Sequence, residues 1–129
     1  MLTNANTYLY IYVFITGDIP MSDFLNMKKL SLMSLSHNCL NTNLDESLCK
    51  LPNIHTVLMD QLGARCPTTT YKFFSKTASL PSCYWSIPSL QTLHAIGNGL
   101  LGHLGEIGPN LTDIAIMSNL VSKLYIYWV

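Results

Sequence analysis

One spacing of apolar residues recurs along the chain, and it restricts the fold more than any other property of the sequence. Its clearest copy is Leu90-x-x-Leu93-x-Ala95-x-x-Asn98-x-Leu100. Apolar residues stand first at helix-like and then at strand-like intervals. The frame closes on an Asn whose amide can bond backbone groups where the chain turns out of a strand. Leu30-x-x-Met33-x-Leu35-x-x-Asn38-x-Leu40 and Leu111-x-x-Ile114-x-Ile116-x-x-Asn119-x-Val121 repeat it. A fourth copy, Ile54-x-x-Val57-x-Met59-x-x-Leu62-x-Ala64, keeps the apolar positions and carries Leu62 in place of the Asn. The steps from Asn38 to Leu62 and from Asn98 to Asn119 are 24 and 21 residues. Self-similarity at such a period marks an architecture of stacked units.

A unit of this length cannot bury its own apolar face. Neighbouring units therefore stack, their strands pair in parallel, and a continuous core forms between the strand layer and the outer segments. Leu, Ile, Val and Met at the frame positions are expected to be core.

Further segments carry a family signature. Ile15-Thr16-Gly17-Asp18-Ile19-Pro20 reads as L-T-G-x-I-P, and Leu101-Gly102-His103-Leu104 is a looser copy. Met33-Ser34-Leu35-Ser36-His37-Asn38 fits L-x-L-S-x-N, and Leu80-Pro81 stands where I-P would. Through these residues the chain resembles the leucine-rich repeat family over roughly residues 15–125, and within it the plant receptor-like ectodomain subtype, LxxLxLxxNxLtGxIP. The resemblance implies an α/β fold, a leucine-rich repeat solenoid with short parallel strands on the concave side and loops and short helical turns on the convex side. It also implies an extracellular or cell-surface setting.

In chain order, residues 1–20 are expected to form a degenerate first repeat and turn. Residues 21–129 are expected to form the repeat array, with an irregular insertion near 63–79. The first unit is framed as Ala5-x-x-Tyr8-x-Tyr10-x-x-Val13-x-Ile15, rich in residues that favour strands. Met1 to Thr7 lacks the basic n-region of a secretory signal, and the run from Tyr8 to Ile15 is too short to span a bilayer as a helix. Pro20 blocks a regular helix through the turn, after which Met21 to Lys29 forms an outer segment with Phe24 and Met27 turned inward. Leu44, Leu48 and Leu51 make a helix-like stripe. Thr68 to Phe74 does not fit the frame, and the step from Leu62 to Asn98 is 36 residues. The ends carry no polar cap, so the chain reads as a piece of a larger array with the capacity to self-associate through those ends.

Side chains alternate along a strand, so the residues flanking the central apolar positions face away from the core. In register these are Leu32, Ser34, Ser36 and His37; Thr56, Leu58, Asp60 and Gln61; Thr92, His94, Ile96 and Gly97; Asp113, Ala115, Met117 and Ser118. Twelve of them are expected to bind a partner: Ser34, Ser36, His37, Thr56, Leu58, Asp60, Gln61, Thr92, His94, Ile96, Asp113 and Met117. Asn38, Asn98 and Asn119 are expected to form a structural ladder. The face is mixed polar and apolar and suits a protein or peptide.

Formal net charge is zero and 11% of residues are charged, which gives no electrostatic footprint for nucleic acid. The chain has no GxSxG, no P-loop, no HExxH and no CxxC, so no enzyme activity, cofactor or metal is expected. Gly97, Gly99, Gly102 and Gly105 read as turn residues. Cys39, Cys49, Cys66 and Cys83 lie inside the repeats in no recognisable framework and are expected to be buried free thiols. Asn110-Leu111-Thr112 is the one glycosylation sequon, informative only for a secreted chain, and Thr112 is expected to serve the strand. The sequence also admits an alternative: a small membrane-associated protein held by Tyr8 to Ile15 and the Leu124 to Val129 tail, given 49% hydrophobic content, or a fragment with no independent function.

Overall fold

The computed structural model describes residues 7–10, 16–17, 21–40, 45–62, 80–98 and 104–117. The elements in order are β1 (Thr7–Tyr10), β2 (Thr16–Gly17), α1 (Met21–Phe24), β3 (Leu30–Ser34), β4 (Cys39–Leu40), β5 (Thr56–Leu58), β6 (Thr92–His94) and β7 (Asp113–Ala115). Two short 3-10 helices, Glu46–Lys50 and Ser82–Ser86, precede β5 and β6. Five strands pair in parallel in the order β1-β3-β5-β6-β7, and β2 pairs with β4 in a separate two-stranded sheet.

Sheet register follows the sequence frame. Met33 lies beside Val57, Val57 beside Leu93, and Leu93 beside Ile114. Val57, Leu93 and Ile114 are the middle residues of three-residue strands, Met33 is the fourth residue of β3, and Met33, Val57 and Leu93 are buried. The first frame position is filled by Leu30, Ile54, Leu90 and Leu111, and all four are buried. Leu35, Met59 and Ala95 form a third buried row, with Ile116 partly buried beyond it. Phe24, Leu48, Tyr84 and Trp85 close the core from the outer side, so one apolar layer lies between the sheet and the short helices.

After β3, β5 and β6 the chain turns through a left-handed residue three positions beyond the strand end. His37 (φ 62°), Gln61 (φ 48°) and Gly97 (φ 69°) occupy the same frame position, one residue before Asn38, Leu62 and Asn98. Parallel bonding continues through this turn: the N–H groups of His37, Gln61 and Gly97 donate to the carbonyls of Asp60, Ile96 and Met117 at 2.9, 2.8 and 3.0 Å. A Cβ at Gly97 would come within 3.3 Å of the Gln61 Cγ, so the missing side chain also lets the two turns sit close.

At the opposite end of the strands stands a second repeated device. Pro52-Asn53, Pro88-Ser89 and Pro109-Asn110 each form a turn just before the first buried frame residue. Proline suits a position that needs no donor. The polar residue after it reaches across to an earlier unit. Asn53 Nδ2 donates to the Lys28 carbonyl at 2.8 Å, Ser89 Oγ to Ile54 at 2.7 Å, and Asn110 Nδ2 to Pro88 at 2.7 Å.

Four expectations need correction. The first unit is framed one residue off: Leu9, not Tyr8, pairs with Met33 and packs on the core, while Tyr8 is 56% exposed. A one-residue slip reverses which side chains face the core, and the aliphatic Leu9 takes the inner side. Thr16–Gly17 is not simply a turn, because it pairs with Cys39–Leu40. Leu48 lies in a five-residue 3-10 segment and Leu51 caps its end in extended conformation, so the stripe is not carried by a regular helix. Cys49 and Cys83 are not free thiols: they form a disulfide, their Cα atoms 6.0 Å apart. Stacking of the two 3-10 helices supplies that proximity, which linear spacing does not reveal. The expected insertion at 63–79, along with Leu44, Cys66 and the Leu124 to Val129 tail, lies outside the described residues.

Candidate interaction face

The side of the sheet away from the core is built from four frame-related rungs. Leu32, Thr56, Thr92 and Asp113 form one row, each paired with the next, and Tyr8 extends it on β1. Ser34, Leu58, His94 and Ala115 form the second row. Leu32, Leu58, Thr56, Thr92 and His94 are half-buried by their neighbours, and Asp113 is exposed. His94 Nε2 lies 3.0 Å from Asp113 Oδ1, which ties the two rows together at the β6–β7 side.

Beyond the strand ends lies a third row, Ser36, Asp60, Ile96 and Met117. Two of these side chains serve the backbone. Ser36 Oγ accepts the Asp60 N–H at 2.9 Å, and Asp60 Oδ1 accepts the Ile96 N–H at 2.7 Å. The units of Ser36 and Asp60 therefore each hold the turn of the next unit with a side-chain acceptor. Ile96 is half-buried and Met117 is 69% exposed. His37 and Gln61 stand exposed in the left-handed turns, past the strand face.

The Asn residues lie beneath this third row. Asn38 is fully buried, and its Nδ2 donates to the Leu35 carbonyl at 3.0 Å and to the Ser36 carbonyl at 3.3 Å. Asn98 donates to the Met59 carbonyl at 2.6 Å and accepts the Leu62 N–H at 2.9 Å. Asn119 and Ser118 lie outside the described residues.

Groups with displaced titration sit on the outer side of the fold. Asp45 caps the first 3-10 helix by accepting the Ser47 N–H at 2.8 Å, and hydrogen bonds from Ser47 hold its carboxyl below the usual range. Burial raises the Tyr84 hydroxyl far above the ordinary phenol range, with the Asp45 charge adding to the effect, and that hydroxyl donates to the Asp45 carbonyl at 2.7 Å.

No protein-family model, curated protein or solved structure matches this chain.

The face offers apolar and hydroxyl side chains in register, one His–carboxylate pair, and carboxylates as its formal charges in Asp60 and Asp113. Among the described residues, no three His, Cys, Asp or Glu side chains converge as metal ligands would. Among the same residues, no helix is long and apolar enough to cross a membrane.

Sequence reasoning missed three contributors. Tyr8 joins the face only because of the register slip on β1. The Pro-Asn and Pro-Ser turns were legible as Pro plus a small polar residue immediately before each frame Leu or Ile. Cys49–Cys83 left no linear signal.

Proposed function

We propose that the chain is a leucine-rich repeat solenoid, of the receptor-like kind its motifs resemble, and that it acts without catalysis by binding a protein or peptide on the open strand face. The observation that carries this reading is the in-register alignment of Leu32, Thr56, Thr92 and Asp113 beside Ser34, Leu58, His94 and Ala115 across four consecutive parallel strands. A half-apolar surface with regularly spaced hydroxyls and few charges suits extended polypeptide, whose side chains and amides alternate on a similar scale. It offers a polyphosphate little, since carboxylates dominate its formal charge. The disulfide between Cys49 and Cys83 supports an oxidising setting, extracellular or at the cell surface.

The test is a selection from a displayed random-peptide library against the folded chain, with counter-selection against a variant carrying Thr56→Arg, Thr92→Arg and Ile96→Arg. These three positions leave the Ser36, Asp60 and Asn98 bonds in place. Peptides that bind the parent and not the folded variant support the reading. Binders that do not distinguish the two refute it.

A further inference from the structure

We infer that Asn110 is the acceptor of one N-linked glycan. Asn110-Leu111-Thr112 is a complete acceptor sequence with no proline between its ends, and no other Asn in the chain is followed by Ser or Thr at the second position. Asn110 lies in the Pro109-Asn110 turn, exposed, and Thr112 is exposed beside it, while Leu111 between them is buried. The buried Leu111 anchors the motif and leaves its two functional side chains at the surface. Asn110 spends one amide N–H on the Pro88 carbonyl at 2.7 Å. The amide nitrogen carries a second hydrogen, so it has one to give up to a sugar and one to donate.

Two further observations bear on this site. The disulfide between Cys49 and Cys83 belongs to the oxidising compartments through which glycosylated chains pass. Asn53 is the frame equivalent of Asn110: it follows Pro52, is exposed, and makes the same kind of bond, to the Lys28 carbonyl at 2.8 Å. It differs in having His55 where Asn110 has Thr112. The two turns therefore separate the contribution of geometry from that of the acceptor sequence.

In the transfer, the Asn110 amide nitrogen forms a bond to the anomeric carbon of a lipid-pyrophosphate-linked oligosaccharide. The bond from that carbon to the pyrophosphate oxygen breaks, the lipid pyrophosphate departs with its electron pair, and the amide gives up one proton. No oxidant or reductant is required. The inference stands apart from partner binding, because Asn110 belongs to the turn before β7 and not to the open face.

The experiment directs the full chain through the secretory pathway of a eukaryotic cell and reads intact mass before and after peptide N-glycosidase treatment. The expected result is a single glycan, lost in both Asn110→Gln and Thr112→Ala, with Asn53 unmodified. His55→Thr should add a second glycan at Asn53. A secreted parent chain without a glycan, or one whose glycan survives Asn110→Gln, overturns the assignment. A His55→Thr chain that remains singly modified overturns the claim that this turn geometry presents the acceptor.

Discussion

Asn98 takes over the hydrogen bonding that Leu62 cannot supply to its own unit. Its Oδ1 accepts the Leu62 N–H at 2.9 Å and its Nδ2 donates to the Met59 carbonyl at 2.6 Å, across 36 and 39 residues of sequence. The unit that lacks an Asn is thus stapled by the Asn of the next one, and Leu62 is free to be an apolar core residue with no exposed surface.

Replacing Asn98 by Leu leaves the Met59 carbonyl and the Leu62 N–H buried without these partners, at a cost of roughly 1–3 kcal/mol for each. The frame alone leaves two outcomes for Leu62→Asn, stabilising where it restores a missing ladder member and destabilising where Leu62 packs in a core. The second applies here, because Asn98 already serves those groups and Leu62 has no exposed surface. Leu62→Asn should lose about 2 kcal/mol or more through lost burial and an unpaired amide. Denaturant midpoints of the two variants against the parent check both signs, and an indifferent Asn98→Leu would contradict the bonding described.

The Cys49–Cys83 bridge closes a separation of 34 residues between the two 3-10 helices. Restricting the unfolded chain in this way contributes about 2–4 kcal/mol. Cys83→Ser, or reduction of the parent, should lower the urea midpoint accordingly. Equal midpoints with and without reductant would mean that the bridge does not form.

Tyr84 sets an alkaline limit. In the unfolded chain its hydroxyl ionises near pH ~10, whereas burial keeps it protonated well above that in the fold. Below ~10 both states hold the proton and the group adds no pH dependence. Above it the unfolded chain holds fewer protons, so stability falls as pH rises. Tyr84→Phe should remove this part of the alkaline slope while losing the 2.7 Å bond to Asp45, worth about 1 kcal/mol. On the acid side the depressed Asp45 contributes stability that is present above its unfolded pKa and lost as pH falls through its folded one, and exposure keeps that contribution small. Midpoints measured at about pH 8 and about pH 11 test the Tyr84 effect.

Much of the sheet was legible in the sequence because the frame records burial. Leu30, Met33, Leu35, Ile54, Val57, Met59, Leu90 and Leu93 sit inside, and strand pairing joins equivalent frame positions. The first unit was misread because Tyr8, Leu9 and Tyr10 are all apolar enough to fill either face, and periodicity cannot separate two registers in such a run. The disulfide depends on how the two 3-10 helices stack, which Cys spacing does not encode. On the open face the positions followed from alternation, but the work of Ser36 and Asp60 did not. Their short acceptors bond the next unit's backbone, and a hydroxyl or carboxylate read from sequence does not distinguish a partner contact from a backbone clasp.

The claim that the open face receives a polypeptide is tested most directly by amide chemical-shift mapping of the labelled chain, titrated with a peptide selected from the displayed library. The account predicts shifts concentrated at Thr56, Leu58, Thr92, His94 and Ile96, with the signals of Glu46–Lys50 and Ser82–Ser86 unmoved. Shifts confined to those two 3-10 helices, with β5 and β6 silent, would contradict it.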